Sequence, residues 1–234
     1  MKRFYKLATA EQAGDGGAIV RLDGRVLKTP AKAEMRLPTL ALAEAIAVEW
    51  QAQQDEIRPQ SMPLMQLAAT TIDRVMTDPS FARSDVLRYG ETDLLSYRAD
   101  EPAALAERQA AEWQPLLDWF RDRYDVQMNV TSGIIAVAQP AELKPLLERV
   151  CAGLDAWQLT ALHSATTNAG SVVIGLALLD GHLDAEAAHR AALLDELHQV
   201  ERWGEDAEAA ARRTGLLADL RATAQFLALL RERN

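Results

Sequence analysis

A change of hydrophobic rhythm near residue 60 constrains this chain more than any other feature. Before it, apolar residues come in short bursts at Phe4 to Leu7, Ala18 to Leu22, Arg25 to Leu27 and Glu34 to Leu37. Gly14-Asp15-Gly16-Gly17 and Asp23-Gly24 punctuate them. Short apolar runs between turn residues read as strands, and Asp-Gly between Leu22 and Arg25 suits a two-residue hairpin, since both positions tolerate positive φ. After Ile57-Arg58-Pro59 the spacing becomes helical. The pattern predicts an α+β chain: a small β-rich N-terminal domain over 1–60, with a covering helix, and a mostly α-helical C-terminal domain over 61–234.

The covering helix is expected from Thr39, a good N-cap, to about Gln53, with Leu42, Ala43, Ile46, Ala47 and Trp50 on one face. Ser61 is read as the cap of a helix carrying Met65, Ala68, Ile72 and Val75 and stopping at Asp78-Pro79. Further helices are expected over 80–89, from Pro102 to about Tyr124, and over 141–151, 156–167, 171–179, 185–202 and 205–231. Pro115 should kink or split the second of these, because proline removes a ladder hydrogen bond. Residues 126–130 read as extended, and 134–138 as either a strand or a helical turn. Asp184 is a candidate N-cap and Gly204 a candidate stop or bend.

Composition removes several functional classes. The 234 residues carry 25 Lys and Arg against 34 Asp and Glu, a formal charge of −9. Sequence-independent nucleic-acid binding needs the opposite balance. A lone cysteine, Cys151, permits no intrachain disulfide and no zinc-cysteine cluster; on an apolar helix face with Leu147 and Val150 it is expected to be buried and inert. The longest apolar run, Val172 to Leu179, is far below the ~20 residues of a membrane helix. No secretory or transit segment is read at the start, so the expected place is a bacterial-type cytoplasm, or a matrix after processing.

Chemistry-bearing patterns are sparse. No phosphate loop is present among the five lysines, and no Gly-x-Ser-x-Gly elbow. Glu186-x-x-His189 and Asp195-x-x-His198 have the spacing of di-metal bundles, but nine residues on one helix turn the two histidines to roughly opposite sides. They are expected to be solvated surface residues. No catalytic residue, cofactor or metal ligand is therefore expected. Two segments mix acids with aromatics: Tyr89 to Tyr97, and Trp203-Gly204-Glu205-Asp206-Ala207-Glu208. In the second, acids at a helix start also suit its dipole.

The order of motifs resembles a known family. Arg3-Phe4-Tyr5-Lys6 is followed by Leu22-Asp23-Gly24-Arg25, Thr29-Pro30, Leu37-Pro38-Thr39, Glu49-Trp50-Gln51-Ala52-Gln53 and Met62-Pro63. Glu91-Thr92-Asp93-Leu94-Leu95, Gln109, Trp113-Gln114-Pro115-Leu116-Leu117-Asp118-Trp119, Gly170-Ser171, Gln199 and Trp203-Gly204 come later. Together they resemble the assembly chaperones of the F-type ATP synthase catalytic head, the ATP-twelve assembly factors, in their alphaproteobacterial form. Leu94 departs from the Thr-Asp-Thr of eukaryotic members, and the last third matches sparsely.

The resemblance implies a chaperone, not an enzyme, that holds the unassembled alpha subunit until it joins the beta subunit. It implies no nucleic-acid partner, no membrane insertion and, for a one-to-one holder, a monomer. Partner contact is expected in the helical C-terminal region around Glu196, Gln199, Trp203 and Asp206, because a tryptophan rimmed by acids suits an interface anchor. Two other classes fit the residues: an enzyme or small-molecule binder using an inter-domain cleft near Asp93 and Tyr97, and a structural subunit that stays in the finished complex.

Overall fold

The computed structural model describes residues 1–14, 16–133 and 136–231. Strand β1 (Ala8–Gln12) pairs antiparallel with β2 (Ala18–Leu22), Ala8 facing Leu22 at one end and Gln12 facing Ala18 at the other. Asp23 and Gly24, at φ 46° and 80°, then turn the chain into β3 (Arg25–Val26), with Leu22 opposite Arg25. This is the expected hairpin. Strand β4 (Arg36–Leu37) pairs with the start of β2.

The first strand corrects the expectation, which placed it at Phe4 to Leu7. That segment lies outside the ladder because side chains satisfy its backbone. The Asp23 carboxylate accepts the Lys6 and Leu7 N–H groups, and the Arg3 guanidinium donates to the Tyr5, Lys6 and Gln53 carbonyls.

Helix α1 (Leu40–Gln51) is capped as expected, Thr39 Oγ1 accepting from Leu42 N at 3.2 Å. It buries Leu42, Ala43, Ile46, Ala47 and Trp50 against the sheet. The Tyr5 hydroxyl donates to the Trp50 carbonyl at 2.6 Å, with the two rings edge to face.

Helix α2 (Pro63–Thr70) continues into a wider π-type turn over Thr71–Val75. Ser61 does not cap it; Ser61 lies in a preceding 3-10 turn and bonds Arg58 and Gln53. The cap comes from α1 instead. Glu49 accepts the Leu64 and Met65 N–H groups through its two oxygens, each at 2.8 Å. A helix start left bare by its own sequence is thus closed by a carboxylate fifteen residues upstream. Further bonds tie the first sixty residues to the rest, among them Thr29 Oγ1 donating to Asp73 at 2.5 Å and Thr39 Oγ1 to the Leu229 carbonyl at 2.9 Å.

Helix α3 (Ser80–Glu91) leads to β5 (Tyr97–Arg98), then to α4 (Ala103–Tyr124). Pro115 does not split α4. Both Pro115 and Ala111, whose carbonyl loses its donor, are exposed, so water reaches the freed oxygen. Residues 126–130 alternate in burial, Val126 and Met128 inward, and lead to β6 (Thr131–Ser132), parallel to β5. The undecided segment 134–138 begins at two residues outside the described ones, and 136–138 are irregular.

The remaining helices are α5 (Leu143–Gly153), α6 (Ala156–Ala169), α7 (Val172–Asp180), α8 (Ala185–Ala192), α9 (Leu194–Trp203) and α10 (Ala207–Arg231). Asp155 and Gln158 form a capping box on α6, Ser171 caps α7 and Asp184 caps α8. The single helix expected over 185–202 is two, broken at Leu193, where φ −111° and ψ 16° leave the helical well. Leu193 is buried at this break, so packing fixes a corner that periodicity does not mark.

Helix α7 is buried on every side from Val172 to Leu179. Its closest approach to α6 runs through Gly175: a methyl there would sit 2.4 Å from Thr166 Oγ1 and 3.1 Å from the Thr166 backbone nitrogen. Gly175→Ala is expected to destabilise the fold by about 1–3 kcal/mol through overpacking. A methyl at Gly215 in α10 would meet nothing within 4 Å among the described residues, so Gly215→Ala should stabilise by about 0.5–1 kcal/mol. Urea midpoints of the two variants should therefore move in opposite directions; a shared direction would contradict this packing.

Candidate functional site

Helix α9 is the least packed of the long C-terminal elements. Leu194 is its only buried residue. Polar groups hold it instead. Gln109 Nε2 donates to Asp195 Oδ1 at 2.7 Å, and Arg108 pairs with Glu201 at 2.9 Å, fixing α9 to α4. On the other side Arg213 of α10, 7% exposed, reaches Glu196 at 2.8 Å and Glu205 at 2.6 Å, while Arg212 also pairs with Glu196. Burial works against the ionised form of Glu196, but its bonds to Arg213 and Arg212 prevail and hold its carboxyl below the usual range.

The four expected partner residues now have places. Glu196, Gln199 and Trp203 fall at i, i+3 and i+7, one face of α9. Glu196 turns toward the arginines of α10, Gln199 is exposed, and Trp203 is 76% exposed at the helix end. Gly204, at φ 88°, then turns the chain. Asp206 accepts the Ala209 N–H at 2.9 Å and so caps α10. The structure therefore brings three of the four onto one face and gives Asp206 a capping bond just beyond it.

Arg213 was not legible as a site residue, although a signal existed: it stands seven and fourteen residues before Leu220 and Leu227 in the buried stripe of α10. Beside α9 lies an open groove of about 770 Å³, floored by Leu94, Leu193 and Leu216 and edged by Tyr97, Asp195 and Asp219.

The cleft expected near Asp93 and Tyr97 is corrected. Tyr97 does line the groove, but Asp93 is fully buried. Its carboxylate accepts from Ser171 Oγ at 2.8 Å, Leu95 N at 2.9 Å and Val173 N at 3.2 Å. Asp93 is a structural acid that locks the turn after α3 onto the start of α7.

Burial pushes the Asp93 carboxyl up to about 6 and that of Glu49 up to about 7, against the bonds both accept. The folded chain therefore keeps protons that the unfolded chain releases, so stability should fall as pH rises from about 4.5 to 7. Denaturant midpoints at pH 5 should exceed those at pH 7.5, and the double variant Asp93→Asn, Glu49→Gln should flatten that slope. A midpoint that rises over this interval would refute the assignment.

Cys151 is fully buried and its thiol pushed up to about 11 by burial, as an inert core residue should be. The histidines expected to be solvated are half-buried: His189 bonds the Arg213 carbonyl at 3.0 Å, and His198 Nε2 is buried and meets no hydrogen-bond partner among the described residues. Among the described residues no group of three or more His, Cys, Asp or Glu is placed to hold a metal, and no helix is long and apolar enough to cross a membrane.

Trp203 thus stands exposed at the end of a lightly held helix beside an open groove, and the likeness of the chain is to a family of chaperones. The chain belongs to the ATP12 chaperone family, whose model, ATP12 chaperone protein, matches residues 2–121. It is 43% identical to the crystal structure of Atp12 from Paracoccus denitrificans, with a TM-score of 0.91 over 98% of both chains. A solved Agrobacterium tumefaciens structure is 38% identical with a TM-score of 0.92, over 98% of this chain and 86% of that one. The mitochondrial protein atp12 of Schizosaccharomyces pombe is 29% identical over 87% of this chain and 74% of its own length.

Proposed function

We propose that this protein holds the unassembled alpha subunit of the F-type ATP synthase catalytic head, keeps it from aggregating and yields it to the beta subunit. It works as a monomer in the bacterial cytoplasm, without catalysis or cofactor. A lone alpha subunit exposes the apolar surface that later meets beta, and such surface aggregates. A holder needs a complementary patch of roughly 1,200–2,000 Å² in total.

The observation that carries this reading is Trp203, 76% exposed on the face shared with Glu196 and Gln199. A large aromatic left in water at a helix end has no packing role and suits a binding anchor. Trp203→Ala is expected to weaken alpha-subunit binding by about 2 kcal/mol, roughly thirtyfold in Kd, while the melting temperature stays unchanged. Titration of purified alpha subunit by biolayer interferometry reads the first and a thermal melt the second. An unaltered Kd removes Trp203 from the interface.

A further inference from the structure

Charge and exposed apolar surface are unevenly placed along this chain. Residues 1–36 hold eight Lys and Arg against four Asp and Glu, while the remaining residues hold 17 against 30. Lys2, Lys6, Lys28 and Lys32, four of the five lysines, fall in that segment. So do Met1, Phe4 and Leu7, three of the seven large apolar side chains exposed among the described residues.

The fold gathers several of these at one place. The Asp23 carboxylate accepts the Lys6 and Leu7 N–H groups, which lays Phe4 to Leu7 along the tip of the β2–β3 hairpin. Tyr5 turns inward against Trp50, while Phe4, Lys6 and Leu7 turn outward, Phe4 being 65% and Leu7 57% exposed. Phe4 shares a hollow of about 550 Å³ with Val26, Leu27, Arg25 and Lys28. Among the described residues no carboxylate forms an ion pair with Lys6, Arg25 or Lys28. The nearby acids are engaged: Asp23 is spent on backbone N–H groups, and Glu34, opposite Lys28, reaches Arg36 at 3.8 Å.

Phenylalanine and leucine standing out into water among unpaired cations form the surface that adsorbs to a bilayer. The apolar side chains enter the boundary between headgroups and acyl chains, and the cations meet anionic headgroups. Because salt screens charge over about 8–10 Å, the local surplus decides, not the net −9 of the chain.

We propose that this face rests on an anionic phospholipid bilayer, with Phe4 and Leu7 in the interface and Lys6, Arg25 and Lys28 on headgroup phosphates. The acidic remainder of the chain orients the molecule, since it is repelled by the same surface. The inference goes beyond the chaperone reading and does not depend on it: it says where the holder stands, not what it holds.

Flotation of the full chain with extruded vesicles tests it, with phosphatidylglycerol and phosphatidylcholine in equal parts against phosphatidylcholine alone. The bound fraction on the anionic vesicles should be about fivefold or more that on the neutral ones, and should collapse in about 0.5 M sodium chloride. Arg25→Glu with Lys28→Glu should abolish binding, and Phe4→Ala should reduce it about threefold or more, with the melting temperature little changed because these side chains are exposed. Lys144→Glu with Arg149→Glu makes the same change of net charge at exposed positions elsewhere and should bind as the unsubstituted chain does. Equal binding to the two vesicle types, or equal loss in the two double variants, overturns the proposal. So does release from the vesicles by inorganic phosphate at constant ionic strength, which would mark a phosphate pocket. An Arg25→Glu, Lys28→Glu chain that still floats but no longer captures the alpha subunit also overturns it, and makes the face a second client contact.

Discussion

Asp93→Ala should destabilise this protein by about 3–5 kcal/mol, lowering its melting temperature by roughly 10 °C. The carboxylate has no exposed surface and serves three donors at once: the Leu95 and Val173 N–H groups and the Ser171 hydroxyl. Alanine leaves these buried with no acceptor, and each such orphan costs about 1–3 kcal/mol. Part is returned, because the substitution also removes a carboxyl that burial already opposes. The conservative control separates the two effects. Asp93→Asn keeps an oxygen for Leu95 and Ser171 while abolishing the charge and leaves only the Val173 N–H facing an amide nitrogen, so it should cost about 1–3 kcal/mol, less than alanine. Should Asp93→Asn prove as damaging as Asp93→Ala, the charge itself is required and the hydrogen-bond account is wrong.

Charge reversal at Glu196 should have the second largest effect, on structure and binding together. Glu196→Lys places a third cation against Arg212 and against Arg213, whose side chain is 7% exposed. A buried charge stripped of its partner is destabilising by several kcal/mol, less here because Glu205 still pairs with Arg213; about 2–3 kcal/mol is expected. The loss should be local. With only Leu194 buried, α9 has little apolar packing to keep it in place, so limited proteolysis should cut at 193–206 before the rest of the chain unfolds. Alpha-subunit capture should fall with it. Glu196→Gln keeps one oxygen, which can still accept from Arg213, and should leave α9 better protected than Glu196→Lys does. Glu196→Lys with unchanged proteolysis and unchanged capture would contradict both the clamp and the placing of the partner face on α9.

How far the sequence discloses this molecule depends on how far apart the cooperating residues are. Thr39 over α1, Asp23-Gly24 at the hairpin and Asp184 at α8 are local chemistry, and all were readable. Glu49 as the cap of α2, Asp93 as the lock of α7 and Arg213 as the clamp of α9 are long-range: their partners lie 15 to 80 positions away. Nothing in a window of helical length distinguishes Glu49 or Asp93 from solvated acids, and only the buried stripe of α10 marks Arg213. Two of the failures share that cause. Ser61 looked like a cap because Glu49 was invisible, and Phe4 to Leu7 looked like a strand because the Asp23 carboxylate had not been brought to its amides. The expected partner residues Glu196, Gln199, Trp203 and Asp206 were singled out by motif and by acids around a tryptophan; the fold sets the first three on one face of α9 and gives Glu196 the further task of holding that helix down.

Co-expression of this chain with the alpha subunit alone, resolved by size-exclusion chromatography, bears most directly on the central claim. The account predicts a soluble one-to-one complex and rescue of the alpha subunit from the insoluble fraction. Alpha subunit that still aggregates, with this protein eluting free, would contradict it.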